Sequence, residues 1–279
     1  METSSNRKIT WRLIINPPLA PARNMAIDEA IAIAFSKKKV PPTLRLYQWS
    51  RPTFSIGSFQ TLDTHWLDYL NRLNVNIVRR MTGGQGLLHD REMTYSVIAS
   101  TKDPLFSGGI KRTFHSIAKG LLAGLQEIGT EGKIHGPSQG RRLARKKDPL
   151  CFAATSGYEI TARGKKLIGS AQRRWKAHFL QHGSLILEAW IPGSETFPKE
   201  GPRMASDKQI TLAELLPTLP EMGSLERAMK TGFETALQIH FVLGQLTTEE
   251  TESTERLIKE KYGTDQWNLY RKTSSGHRL

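Results

Sequence analysis

Cysteine is almost absent from this chain of 279 residues: Cys151 stands alone. It can close no internal disulfide and build no multi-cysteine zinc site, so any task it has is one of reactivity. Long apolar runs are missing as well. Stretches such as "LIINPPLAPA" are cut by proline or charge, whereas a membrane-spanning helix needs about 20 mostly apolar residues in succession. The opening "METSSNRKITWRL" has no apolar core followed by a small-residue cleavage site, so no secretory signal is read there. The expectation is a cytoplasmic protein with no membrane partner. No internal repeat, low-complexity tract or compositional linker divides the chain. With 38% hydrophobic and 24% charged residues, it has enough apolar surface to bury a sizeable core.

Acidic residues are in short supply, 26 against 40 basic ones, for a net charge of +14. That excess favours an acidic partner. The densest basic cluster, "RRLARKK" at residues 141–147, lacks the interleaved aromatics that stack on bases. It reads as a solvated loop, and a nucleic-acid-binding regulatory module ranks last among the functional readings.

What is present alternates between strand and helix signals. "TWRLIIN" alternates like a strand, and Asn24 then caps a helix over "MAIDEAIAIAFSKK". "TLRLYQWS", "TFSIGSF", "NVNIVRR" and "MTYSVIAS" read as β and "HWLDYLNRL" as a short helix. Helical spacing from Ile110 through Phe114, Ile117, Leu121 and Leu125 to Ile128 ends at Gly129 as a C-cap. "SGYEITARGKKLIGSAQRR" and "HFLQHGSLILEAW" form a meander with a hairpin at "ARGKK". After a Pro-rich connection at 197–202, helices are expected near 212–216, 224–241 and 247–262. The last opens with a Thr247-x-x-Glu250 capping box. One α+β domain spanning 1–279 follows, a mixed sheet flanked by helices, with its core at about 10–245 and a C-terminal helix and tail at about 246–279.

Two places concentrate chemistry. In "RRMTGGQGLLHD", residues 79–90, the glycines let a ligand approach the main chain with no Cβ in the way. Arg79 and Arg80 end a strand, so at least one guanidinium points toward the loop. Neither the P-loop nor the dinucleotide fingerprint fits. His89 and Asp90, adjacent on a strand, face opposite ways, which predicts a structural role in orienting the loop rather than a shared acid–base task. His182 in "QHGS" has no second histidine at metal spacing, so it reads as a hydrogen-bonded histidine and no metal site is expected. The second place is Cys151. A lone cysteine is usually an inert buried residue, and to act as a nucleophile it needs an activator. Lys165 and Lys166 in "GKKLIGSAQ" are the candidates, because a nearby cation lowers a thiol pKa and a desolvated lysine can accept a proton.

Taken together, "NMAIDEA", "WSRPTFSIGSFQ", "RRMTGGQGLLHDREMTYSV", "CF", "GKKLIGSAQRR", "LQHGSLIL" and "KYGTDQWN" resemble the biotin/lipoate protein ligase superfamily, in its lipoate- and octanoate-transferring branch. The resemblance runs from about residue 10 to 270. It implies an acyl chain lying beside the Arg-Arg-x-Thr-Gly-Gly loop, bound by Arg80, Thr82, Gly83, Gly84, His89, Asp90, Gly169, Ser170, Ala171 and Gly183. Lys166 takes the place of the family's invariant lysine beside the acyl carbonyl. Two chemistries occur in the family. Cys151 in "CF" resembles the nucleophile of cysteine-dependent octanoyltransferases of Gram-positive-type pathways. These take octanoyl from an acyl carrier protein and pass it to a lipoyl domain or glycine-cleavage H-type protein, with no cofactor. The alternative is a lipoate–protein ligase using ATP and Mg to form lipoyl-adenylate. The sequence departs from the family at Gln85-Gly86, where arginine or glycine followed by alanine is commoner, and this departure bears on the acyl donor.

Overall fold

The computed structural model describes residues 9–136, 158–189 and 208–272. Cys151, the basic cluster at 141–147 and the Pro-rich connection at 197–202 lie outside the described residues. Among those described, eight strands form one mixed sheet: β1 (Ile9–Ile15), β2 (Thr43–Tyr47), β6 (Glu92–Ser100), β7 (Lys133–His135), β8 (Glu159–Ala162), β9 (Lys165–Arg174), β10 (His178–Ile186) and β11 (Ile239–Leu243), in the order β11-β1-β2-β6-β10-β9-β8-β7. The β11-β1-β2 end is parallel and the remainder antiparallel. A smaller sheet, β4-β3-β5, is made of β3 (Thr53–Ile56), β4 (Asn76–Arg79) and β5 (Leu87–His89).

Side chains alternate across the large sheet, so each strand feeds two cores. Trp11, Leu46, Tyr95, Val97, Phe179 and Leu185 point one way, onto α3 (Ile110–Glu127) and α4 (Met222–Leu237). Ile14, Ile98 and Leu180 point the other way, onto α1 (Pro21–Ser36). That face also carries the polar residues described below. A separate cluster of Phe54, Ile56, Trp66, Tyr69, Leu70 and Val75 joins the small sheet to α2 (Thr64–Arg72). The α2 helix begins at Asp63, whose carboxylate accepts from the Trp66 N–H at 2.9 Å.

Four expectations are corrected. Helix α1 starts three residues before the expected Asn24 cap, because Pro21 occupies its first turn, where a missing N–H costs nothing. Asn24 is instead buried and binds the Arg45 guanidinium and the Gln48 carbonyl. Residues 212–216 form only a turn, in which Leu215 and Leu216 N–H groups both reach the Leu212 carbonyl. The helix expected over 224–241 stops at Leu237, because Gln238 is left-handed (φ 54°), and "IHFVL" then pairs in parallel with β1. The last helix has its capping box, with Thr247 and Glu250 reciprocally bonded, but α5 (Thr248–Leu257) gives way to a π-turn at Ile258–Tyr262. A short α6 (Asp265–Asn268) follows.

Candidate active site

The site stands on the α1 face of the large sheet, where register aligns two rows of side chains. Arg45, Ser96, His182 and Ala171 face one another across β2, β6, β10 and β9, and Tyr47, Thr94, Ser184 and Gly169 form the next row. Over these rows lies a cavity of about 370 Å³, its open mouth included, with walls of Met25, Tyr47, Trp49 and Leu87 beside Arg80, His89, His182 and the Gly169–Ala171 segment. Such a lining, mostly apolar with a few convergent polar groups, suits a small acyl ligand. On the opposite face Gly183 is required: a Cβ there would meet the Gly169 carbonyl oxygen at 2.4 Å and the Tyr95 ring at 2.7 Å.

Asp28, on the inner side of α1, organises the first row. It accepts from Arg45 and Ser96 at 2.8 Å each, from the Tyr47 hydroxyl at 3.1 Å and from His182 Nδ1 at 3.3 Å. Burial pushes its carboxyl upward, but Arg45 and His182 outweigh that and hold it below the usual carboxylate value. Burial drives His182 down, Asp28 restores only part of the shift, and the cation of Arg80 adds to the lowering. The ring is therefore neutral at pH 7, and its Nε2 meets Thr82 Oγ1 at 2.7 Å. Beside the second row Glu92, two residues before Thr94 on β6, accepts from His89 Nδ1 and Ser184 Oγ at 2.7 Å each, and from Thr94. His89 Nε2 meets Ser55 Oγ at 2.7 Å, and its ring stacks on Trp49 with centroids 4.2 Å apart.

The two arginines of the motif divide their work. Arg79, 1% exposed, donates to the carbonyls of Gly57, Ser58 and Gln60 on one side and of Trp267 and Leu269 on the other. It ties the C-terminal "DQWN" segment to the turn after β3. Burial, with Arg271 nearby, lowers its pKa to about 10. Arg80 turns toward the loop, as expected of one of the pair, and binds the carbonyls of Gly83 and Gln85. The loop is seated by close approach: a Cβ on Gly57 would lie 1.8 Å from the Gly84 carbonyl oxygen, and Gly84 itself has φ +98°. The motif is thus less superficial than a surface loop, with Arg79 to Thr82 and His89 all buried.

Of the residues expected to bind substrate, Arg80, His89, Gly169, Ser170, Ala171 and Gly183 line the cavity, whereas Thr82, Gly83, Gly84 and Asp90 do not. His89 and Asp90 do not work as a pair. His89 joins the Glu92 network, whereas the Asp90 carboxyl is pushed up by burial. Lys166 lies outside the cavity wall, buried, with Nζ 2.6 Å from Glu159 Oε1. Its direction comes from an irregularity: Ile160 and Thr161 of β8 oppose three residues of β9, Lys166 to Ile168. The extra residue breaks the alternation. Lys166 therefore shares the sheet face of Gly169 and Ala171 instead of the Ile168 face. Sequence reading missed Asp28, Glu92 and Glu159, and it treated His182 as merely satisfied. An acid at position 28, inside the apolar run "MAIDEAIAIA", is the signal that marks the first.

This cavity and its loops belong to a known type of protein. The chain is a member of the lipoyl protein ligase A/B catalytic domain family, whose model matches residues 20–233. Within that family it is similar to octanoyltransferase LipM of Bacillus subtilis (strain 168), 36% identical over 277 residues, covering 95% of this chain and 100% of the relative. It is likewise similar to octanoyltransferase LipM of Kyrpidia tusciae, 40% identical over 275 residues, 94% and 99% covered. Among solved structures, lipoate-protein ligase A bound with ATP superposes with a TM-score of 0.74 at 22% identity, 94% and 98% covered. The bipartite lipoate protein ligase of Thermoplasma acidophilum, studied with its E2 lipoyl domain, gives 0.70 at 20% identity, 94% and 96% covered. At these identities the structures show a shared α+β fold.

Proposed function

We propose that the protein transfers an octanoyl group from an octanoyl-carrier protein to a lysine of a lipoyl-domain or H-type acceptor, through a thioester on Cys151. The observation that carries the reading is the cavity, an apolar slot with polar residues gathered at His89, His182 and Arg80, in a chain related over almost its whole length to octanoyltransferases. The Cys151 thiolate attacks the donor's thioester carbonyl and expels the carrier's thiol, leaving an acyl-enzyme. The acceptor's lysine amine then attacks that thioester. The amide forms, the amine loses a proton and the Cys151 thiol is regenerated.

Lys166, buried outside the cavity wall but on the sheet face of Gly169 and Ala171 and anchored by Glu159, is assigned the positive charge that stabilises the acyl oxygen during both attacks. The N–H groups of the glycine-rich loop are further donors for that oxygen. Exchanging a thioester for the more stable amide needs no ATP. The whole chain acts as one catalytic unit in the cytoplasm, and its +14 charge steers acidic protein partners. Cys151→Ser is expected to stop transfer while the protein stays folded. Intact-mass analysis after mixing with octanoyl-carrier protein should show one octanoyl adduct on the natural protein and none on the variant. A variant that still transfers would refute the covalent route.

A further inference from the structure

Arg80 has five N–H groups and all five are engaged inside the protein. Nε donates to Thr82 Oγ1 at 3.1 Å, Nη1 to Ser55 O at 3.0 Å and Ser55 Oγ at 3.2 Å, and Nη2 to Gly83 O at 3.0 Å and Gln85 O at 2.7 Å. None is left for a substrate. Both hydroxyls it meets lead on to a histidine and then to a carboxylate. One relay runs Arg80, Thr82, His182, Asp28, and the other Arg80, Ser55, His89, Glu92.

The ends of each relay assign every proton between them. A guanidinium only donates and an ionised carboxylate only accepts. Each hydroxyl therefore accepts from Arg80 and gives its own proton to a histidine Nε2, and each histidine gives its Nδ1 proton to the carboxylate. Two buried guanidiniums, Arg45 and Arg80, face two buried carboxylates, Asp28 and Glu92, and Arg45 already contacts Asp28 at 2.8 Å. Glu92 is the carboxylate joined to Arg80 through His89 and Ser55.

We propose that Glu92 and Asp28 are positioning residues of the transfer reaction: through two matched hydroxyl–histidine relays they fix Arg80, and Arg80 shapes the Thr82–Gln85 loop rather than binding the acyl group. The inference rests on the octanoyl-transfer reading. Its purpose is preorganisation, since a loop whose carbonyls are drawn to Arg80 keeps its geometry without reorganising when the acyl oxygen becomes charged.

The test uses the full chain, octanoyl-carrier protein and a lipoyl domain. Glu92→Gln keeps the shape and removes the charge, and Ser55→Ala removes only the hydroxyl link. Each is expected to lower kcat by about 10- to 100-fold, the range for a misplaced catalytic geometry, with KM for either partner changed by less than about threefold. Because both act through one relay, the double variant should be no slower than the slower single variant. Effects that multiply, or an unchanged kcat in Glu92→Gln, overturn the proposal. Nitrogen-15 NMR of the natural protein checks the relays without any substitution. At pH 7 the His182 ring should be neutral and protonated on Nδ1, and His89 should carry a proton on Nδ1 while its Nε2 accepts from Ser55; a ring protonated on Nε2 overturns the assignment. A natural protein that transfers no octanoyl at all would instead defeat the functional reading, leaving the ring tautomers as a separate result.

Discussion

Replacing Arg79 by lysine keeps the charge and removes the fork, which makes it a sharp probe of how the turn after β3 and the C-terminal segment are held together. Arg79 serves five carbonyl oxygens, three after β3 and two in the C-terminal segment. A lysine has three N–H groups on one nitrogen, so at least two carbonyls lose their donor. In addition the Trp267 indole N–H bonds the Arg79 carbonyl at 2.8 Å and Asn268 Oδ1 accepts from its N–H at 3.0 Å, and these backbone contacts survive the substitution. Each buried acceptor left unsatisfied costs about 1–3 kcal/mol, so the loss of two amounts to about 2–6 kcal/mol. For a protein of this size that corresponds to a fall in Tm of roughly 3–10 °C. Hydrogen exchange should quicken at residues 57–60 and 267–269 together, since one side chain ties both. Thermal unfolding and exchange mass spectrometry measure the two effects. An Arg79→Lys protein whose Tm lies within about 1 °C of the natural one, with protection unchanged in both segments, would refute the clamp.

Gly57→Ala should place its Cβ 1.8 Å from the Gly84 carbonyl oxygen and push the Gly-rich loop off the β3 turn, destabilising by about 1–3 kcal/mol. Gly83→Ala, with nothing within 4 Å of its Cβ, should leave Tm nearly unchanged, and equal losses from the two would contradict the seating of the loop. Stability should also depend on pH through His182, whose folded pKa is depressed. As pH falls below the ordinary histidine value of 6.5, the unfolded chain takes up a proton that the native ring refuses, so stability declines until the folded pKa is reached. His115 and His178, also lowered by burial, add to the same slope. His182→Gln should therefore flatten the Tm profile between pH 7.5 and 5.5 in part, and an unchanged slope would show that the ring is not held neutral.

Strands with clean alternation and the helix from Ile110 were legible in the sequence because burial on one face imposes a period that composition displays. Where the period failed, so did the reading. Leu87–His89 is too short to alternate, and it was hidden inside the glycine-rich motif. Strand β11 was hidden because Leu237, Ile239 and Phe241 extend the apolar spacing of α4, and no glycine announces the left-handed Gln238 that ends the helix. At the site, the residue types were readable but their partners were not. Arg79 and Arg80 are neighbours in sequence yet answer to groups 188 and 2 residues away. The face that Lys166 takes depends on one extra residue in β9, which no local pattern in "GKKLIG" reveals. Asp28 and Glu92 became visible only when register placed His182 and His89 against them.

Which donor the protein uses is decided by one incubation. A lipoyl-domain acceptor is mixed with the protein and either octanoyl-carrier protein alone or free lipoate with Mg-ATP, and its intact mass is followed. A single octanoyl group on the acceptor is expected from the carrier-protein arm, with no nucleotide required, and no modification in the other arm. Lipoylation that depends on ATP, with no octanoyl transfer, would contradict that expectation.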